Sequence, residues 1–282
     1  IKNSIPSVDL PNKFKKRKRQ KIKIGFFCSY MMSQGICSVF RDRSEVFIRL
    51  NPKIFDKYLI YCDMTDEINS KEKSGNAEYL KRFVNSMNYH IKIEFSMKSI
   101  EKTIKQLHNL ELDVIVYASI GMDPRSVILS NYRLAPVQIN TWGHSITSGS
   151  SEIDYFFSSK YYELEDLEKA QEFYSEKLVA LDSLCTYYLD FKIMNYLSKE
   201  ELKLPNDKNI LFCIQFYKKI NLEYLDVLNK ILSKLQNTIV IMLNDNIILS
   251  KQELIEKKLN GKVLFIDKCN YPTFNSYISN SV

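Results

Sequence analysis

The chain has 282 residues, of which 45% are hydrophobic and 26% are charged, and its formal net charge is +7. This length suits two domains, and the composition is that of an ordinary globular protein. The sequence has no apolar run of the length that a membrane helix needs, and its six cysteines form no C-x-x-C pair, which argues against zinc ribbons and thioredoxin-like sites. We therefore expect buried, reduced thiols in a cytoplasmic protein.

The first twenty residues are polar and then strongly basic. Much of the positive excess lies in Lys13 to Lys23, which reads KFKKRKRQKIK. We interpret residues 1–20 as a basic linker. The alternative is a phosphate-binding arm, with weak contact of residues 13–23 to polyanions.

Strand and helix patterns alternate from Lys21 onward. Helices are predicted over 36–50 and 99–110, and such alternation indicates right-handed crossovers and a mostly parallel sheet over residues 21–190. The apolar segments that predict strands are KIKIGFFCSY, YLIYCD, HIKIEF, LDVIVYAS, PVQINTW and IDYFFSS.

The alternation restarts after Pro205. The predicted fold class is α/β, with two Rossmann-like domains at 21–190 and 205–282 that meet near 190–208 and leave a cleft at the carboxyl ends of their strands. The second domain has about three strands where such domains usually have five or six, so we expect it to be truncated. Its predicted strands cover 209–216, 238–243 and 262–266, and its helices cover 222–235, 250–259 and the segment from 271.

The segment GHSITSG follows the predicted strand PVQINTW and is rich in small residues. Gly143, Ser148 and Gly149 would let the backbone approach a ligand, and their N–H groups can bind anionic oxygens. His144 can hydrogen-bond or transfer a proton at neutral pH. These residues alone fit a ligand-binding loop and an ordinary turn equally well.

Several blocks of the sequence resemble one family when they are taken in order. RLAPVQINTWGHSITSG (133–149), IDYFFSS and YSEKLVAL (174–181) are similar to GT-B glycosyltransferases related to O-linked N-acetylglucosamine transferase. IGMDP (120–124) resembles the bacterial SPINDLY-like branch. KIKIGFFCSY resembles the first strand of the catalytic domain, and LFCIQFYKKINLEYLDVLNKIL resembles the start of the nucleotide-binding domain, so that the resemblance covers roughly residues 21–282.

The resemblance implies an inverting, metal-independent transfer of a sugar from a nucleotide diphosphate to a protein Ser or Thr, with no cofactor. UDP-N-acetylglucosamine is the favoured donor, with UDP-glucose and GDP-fucose as alternatives. The sequence has no D-x-D motif that would hold a divalent metal. Protein groups would then have to stabilise the leaving diphosphate.

The resemblance also assigns site residues. Lys219 would contact the diphosphate, with the adjacent Lys218 as the alternative if the match is shifted by one residue. Gln215 would contact the nucleotide or the sugar, as would Ser148 and Gly149. The remaining catalytic candidates, on the acceptor side of the cleft, are Asp123 and His144.

The sequence departs from the family pattern at three places. Gln34 stands where the family often has a His, and we count it among the nucleotide-sugar contacts, although Gln cannot shuttle a proton. WGHS has Ser145 where the usual motif has Pro. The Gly/Thr-rich segment expected after ISNSV is absent and the chain begins at Ile1, so we expect a fragment of a longer protein.

Three other functions remain open. An inactive, GT-B-shaped module that binds a partner protein is favoured by Gln34 and by the early end of the chain. An Asn-glucosylating relative would share the architecture. Nucleic-acid binding through residues 13–23 is a weaker alternative, because no basic stripe follows the motifs of the predicted core.

Overall fold

The chain divides into two compact units, Ile1–Asp190 and Phe191–Val282. Each unit is an α/β structure around a parallel sheet, which confirms the predicted fold class of two Rossmann-like domains. The computed structural model describes residues 5–10, 21–33, 37–64, 75–187, 196–213, 215, 217–244, 249–267, 269 and 271–281.

The first unit contains a seven-stranded parallel sheet in the order β3-β2-β1-β4-β5-β6-β7. β4 and β5 are neighbours, so their carboxyl ends lie side by side at one edge of the sheet. The strands are β1 (Ile22–Phe27), β2 (Phe55–Tyr61), β3 (Tyr89–Lys92), β4 (Val114–Tyr117), β5 (Val137–Thr141), β6 (Tyr155–Ser159) and β7 (Lys177–Leu181).

Helices cover both faces of this sheet, as the alternating side chains of β1 illustrate. Phe26 stacks on Phe47 with ring centres 4.1 Å apart, whereas Phe27 lies 5.8 Å from Tyr117 on the opposite face. The helices of this unit are α1 (Ser29–Ser33), α2 (Ser38–Arg41), α3 (Ser44–Arg49), α4 (Gly75–Asn85), α5 (Ile100–His108), α6 (Pro124–Leu129) and α7 (Leu167–Gln171).

The helix predicted over 36–50 is interrupted at a buried ion pair between α2 and α3. Arg43 is only 1% exposed, and its Nη1 lies 2.7 Å from Asp42 Oδ1. The Arg43 guanidinium also lies 5.1 Å from the centre of the Trp142 ring. Burial raises the pKa of Asp42 to about 6, although the charge of Arg43 opposes that shift. The break therefore places a buried cation under the loop that follows β5.

Part of the segment interpreted as a linker packs on the first unit. Ile5, Val8 and Leu10 are partly buried against the core that contains Phe27 and Tyr117. The Tyr132 hydroxyl donates a 2.7 Å hydrogen bond to the carbonyl oxygen of Pro6. Residues 5–10 are thus attached to the domain, because their apolar side chains pack on its core. Most of the basic run lies outside the described residues.

The second unit has a three-stranded parallel sheet in the order β10-β9-β8. Its strands are β8 (Asn209–Cys213), β9 (Thr238–Asn244) and β10 (Val263–Asp267), and its helices are α8 (Leu222–Lys234), α9 (Leu249–Lys258) and α10 (Tyr271–Ser279). One face of the sheet packs under α8 and α9 through residues such as Leu228 and Ile255. Among the described residues of the whole chain, no helix is long and apolar enough to cross a membrane.

Candidate functional site

The loops after β4 and β5 are packed directly against each other. A Cβ atom built on Gly143 would lie 2.2 Å from the carbonyl oxygen of Ala118, a separation that no real side chain tolerates. The Gly143 N–H donates to the carbonyl oxygen of Thr141 at 2.8 Å. Gly143 therefore permits a backbone contact that brings the segments IGMDP and WGHS together.

The His144 ring lies on the backbone of Gly121. Gly121 has a φ of +91°, and a Cβ atom there would lie 3.1 Å from His144 Cγ. The Nδ1 atom of His144 is buried and has no hydrogen-bond partner among the described residues. The ring is thus seated at the carboxyl edge of the sheet with one nitrogen available for a further bond.

Asp123 begins α6 and is 2% exposed. Its Oδ1 accepts hydrogen bonds from the backbone N–H of Arg125 at 3.2 Å and from Arg125 Nε at 2.9 Å. Its Oδ2 is buried without a hydrogen-bond partner in the described part of the chain. Asp123 therefore both caps the helix and keeps one carboxylate oxygen unused.

Two further polar side chains have unmet hydrogen-bonding capacity at these strand ends. Asn140 lies on β5 opposite Tyr117 of β4, and Ser119 follows β4 by two residues. Both side chains are fully buried, and neither the Asn140 amide nor the Ser119 hydroxyl finds a partner within the described ranges. Buried polar atoms are normally satisfied, so such a concentration is typical of a functional site. The sequence carried a signal for both residues, since each is a polar residue in or beside an apolar strand.

Ser148 and Gly149 do not offer a free anion site, because the protein supplies its own carboxylate. Glu176 is 1% exposed, and its Oε1 accepts the backbone N–H of Ser148 at 2.9 Å. Its Oε2 accepts the Thr147 hydroxyl at 2.6 Å, and the Gly149 N–H turns to Thr147 Oγ1 at 3.3 Å. The assignment of Ser148 and Gly149 to nucleotide-sugar binding stays a prediction, and in this structure their N–H groups are engaged within the loop.

The candidate residues of the second unit lie between β8 and α8. Gln215 and Lys219 are both exposed. Lys219 ends a short 3-10 helix, Tyr217–Lys219, and the next residue but one, Asn221, caps α8 by accepting the Tyr224 N–H at 2.8 Å. Lys218 is also exposed and lies in the same turn. The turn therefore presents two neighbouring ammonium groups just before a helix N-terminus, where an anion is favoured.

Gln34 lies outside the described residues, so its predicted role cannot be placed. No group of three or more His, Cys, Asp or Glu side chains that could hold a metal ion occurs among the residues that are described. Metal independence stays a prediction.

Comparison with solved structures shows the fold. The chain superposes along its whole length on a mutant of the O-GlcNAc transferase from Thermobaculum terrenum, with a TM-score of 0.71 and 14% identity. The match covers 100% of this chain and 50% of the transferase chain, so this chain spans about half the length of that relative. The chain has the GT-B-type fold of that glycosyltransferase.

Other comparisons add no argument. A sucrose-phosphate synthase from Thermosynechococcus elongatus is 9% identical with a TM-score of 0.49, over 93% of this chain and 74% of that chain. No protein-family model matches the chain, and no curated protein is matched by its sequence.

Proposed function

We propose that the chain is part of a glycosyltransferase that moves a sugar from a nucleotide diphosphate to the hydroxyl of a protein Ser or Thr, with inversion and without a metal. The observation that carries the proposal is the contact of His144 with Gly121. It joins two motifs, IGMDP and WGHS, at the carboxyl edge of a parallel sheet, which is where ligands of such sheets bind.

In the proposed reaction His144 is the general base. A neutral imidazole accepts the proton of the acceptor hydroxyl as its oxygen attacks the anomeric carbon. The bond from that carbon to the phosphate oxygen breaks, and its electron pair leaves with the nucleotide diphosphate. Asp123 would stabilise the imidazolium from the same edge of the sheet, and Lys219 would neutralise the leaving diphosphate. UDP-N-acetylglucosamine is the favoured donor, and Gln215 would contact it.

Transfer to the amide of an Asn side chain is a variant of this proposal. An amide nitrogen is a weaker nucleophile than a hydroxyl, but the donor, the leaving group and the role of Lys219 would be the same. The acceptor residue found after reaction separates the two.

A second candidate, a non-catalytic module that binds a partner protein, is supported by Glu176. A carboxylate of the protein occupies the N–H of Ser148, which is one of the donors that a nucleotide sugar would otherwise use. A loop whose N–H group is already bonded to a carboxylate of the protein keeps its shape without a bound nucleotide sugar, which suits a module that binds a partner protein.

The test is a measurement of donor binding and of transfer. Calorimetric titration of the complete protein with UDP-N-acetylglucosamine, UDP-glucose and GDP-fucose should identify one donor that binds. With that donor, the intact mass of a Ser-containing acceptor peptide should rise by one sugar. His144→Ala should abolish the mass change while the donor still binds. Exposed Ser151→Ala is the matched control, because it lies in the same β5–β6 connection and does not line the neighbouring cavity. If the complete protein neither binds a nucleotide sugar nor transfers one, the non-catalytic module is the better description.

A further inference from the structure

An aromatic cavity of about 740 Å³ lies beside the candidate site in the first unit. Trp142 and Ile146, from the loop that carries His144, form one wall, and Phe156 of β6 lines it as well. Tyr162, Leu164 and Phe173 complete the apolar lining. The cavity and the candidate catalytic loop are therefore parts of one surface.

The apolar side chains around this cavity are unusually open to solvent. Phe173 is 69% exposed, Ile146 58% and Tyr162 53%. Single exposed apolar residues are normal, but several around one cavity mark a binding site. Because Phe and Tyr side chains gain most from burial in an interface, these residues are suited to anchor a bound chain.

The segment that contributes Glu163, Leu164, Phe173 and Tyr174 to the cavity lining is acidic, although the net charge of the protein is +7. The segment 163–176 contains six carboxylates and one lysine. Glu165, Glu168 and Glu172 are exposed. The negative charge of this segment attracts a basic partner and disfavours an acidic one.

One carboxylate lies in the cavity wall itself. Glu163 Oε1 accepts the Ser158 hydroxyl at 2.6 Å and the Tyr174 hydroxyl at 2.8 Å. These two bonds fix the carboxylate, and its Oε2 has no hydrogen-bond partner among the described residues. A fixed carboxylate beside aromatic rings suits the ammonium or guanidinium group of a Lys or Arg that enters along the apolar lining.

We propose that this cavity binds an acceptor polypeptide through one large apolar side chain flanked by basic residues. The inference rests on the proposed function in that it names the bound chain as the acceptor. The apolar side chain enters between Trp142 and Phe173, while the basic neighbours face the carboxylates of segment 163–176. Docking there places the polypeptide next to His144, since Ile146 and His144 belong to one short loop.

Trp142 makes the binding directly measurable, because it is the only Trp of the chain. The 282-residue chain is titrated, without any nucleotide sugar, with the peptide acetyl-GKKFKKSG-amide, and the indole emission is recorded. We expect a saturable change in emission that weakens with added salt. Replacing the Phe of the peptide by Ser should weaken binding about tenfold or more. Replacing its Lys residues by Glu should abolish binding.

Two exposed aromatic residues provide matched variants. Phe173→Ala removes a lining residue and should weaken binding about tenfold. Tyr161→Ala removes a ring that is 64% exposed and does not line the cavity, so binding should not change. The double variant Glu165→Lys and Glu168→Lys should weaken binding and flatten its salt dependence. Both aromatic positions are exposed, and unchanged thermal melting confirms that the variants fold.

Three outcomes would overturn this inference. The first is equal binding of the basic, acidic and Phe-free peptides. The second is unchanged binding by Phe173→Ala. The third is an emission change that follows protein concentration alone, which would assign the cavity to a second copy of the chain. If the peptide binds as expected but the complete protein transfers no sugar to any acceptor, the docking site stands and the proposed function fails. If transfer occurs and Phe173→Ala affects neither transfer nor binding, the proposed function stands and the docking site is wrong.

Discussion

The side chain of Glu176 and the backbone N–H of Ser148 form a 2.9 Å hydrogen bond that ties the loop after β5 to the start of β7. Burial opposes the ionisation of Glu176, but the hydrogen bonds from Ser148 and Thr147 outweigh it and hold the pKa of this carboxyl below its ordinary value of 4.5. The bond therefore stabilises the fold only while the carboxyl is ionised.

Glu176→Gln is expected to lower the free energy of unfolding by about 1–3 kcal/mol at neutral pH, because charge-assisted bonds are lost in a buried place. A depressed pKa contributes stability above the unfolded value, and this contribution is lost as pH falls through the folded value. The gap between variant and parent should therefore close below about pH 4. Urea unfolding across this pH range measures it. The exposed Glu172→Gln is the control, and a gap that does not depend on pH would contradict the assignment.

Gly143→Ala should destabilise the first unit by about 2–3 kcal/mol, because its Cβ would overlap the carbonyl oxygen of Ala118. Gly149→Ala is the comparison. Its φ of +66° is unfavourable for Ala, but no atom lies within 4 Å of the new Cβ, and about 1 kcal/mol is expected. Thermal melting of the two variants compares the cost of a steric overlap at Gly143 with the cost of an unfavourable φ at Gly149. Equal losses would mean that the Gly143–Ala118 contact is unimportant.

In the complete protein, Lys219→Ala should lower glycosyl transfer by about 100-fold while acceptor binding changes little, because removing one group that stabilises transition-state charge costs ~3 kcal/mol. Lys218→Ala is the matched control, since residues one apart in a 3-10 turn point in different directions. Initial rates and acceptor affinity are measured for both. If Lys218→Ala alone abolished transfer, the site would be shifted by one residue; full activity of both variants would refute a role for this turn.

Replacing Ile5 and Val8 together by Ser should lower the melting temperature of the chain. Both side chains cover the core of the first unit, and losing that apolar contact is expected to cost about 1–3 kcal/mol. Ser7→Ala with Asp9→Ala changes the two exposed positions of the same segment and should leave the melting temperature unchanged. An unchanged melting temperature for Ile5→Ser with Val8→Ser would restore the view that this segment is a free linker.

The strands could be predicted well from the sequence because a buried parallel strand is nearly continuous in apolar residues. KIKIGFFCSY contains β1, and TIVIML contains most of β9. β7 was not predicted as a strand, since KLVAL has a charged first residue and only partly buried side chains. The helix over 36–50 was predicted as one element because its apolar spacing continues through Asp42 and Arg43. The sequence alone gives no sign that this pair becomes buried.

The sequence could predict where the candidate site lies in the fold, but it could not predict which residues contact each other there. The position of His144 after β5 follows from local pattern, because loops at carboxyl strand ends form the ligand edge of such sheets. Its contact with Gly121 depends on the pairing of β4 with β5, which a local pattern does not specify. The hydrogen-bond partner of Ser148 is Glu176, which lies 28 residues away in the sequence. Glu176 comes just before β7, which the sequence did not predict as a strand, so nothing in the sequence marked it as a partner of the loop.

The strand order of the second sheet, β10-β9-β8, repeats the β3-β2-β1 half of the first. In the first sheet β1 is hydrogen-bonded on both sides, to β2 and β4. In the second, β8 is paired with β9 alone among the described strands. Within the described residues the other edge of β8, NILFC, has no strand partner, and the unpaired backbone donors and acceptors of such an edge are a template for pairing with another extended chain. Preparations of the 282-residue chain should for that reason form aggregates as concentration rises, and Asn209→Lys, at the exposed first residue of β8, is the change that would suppress them.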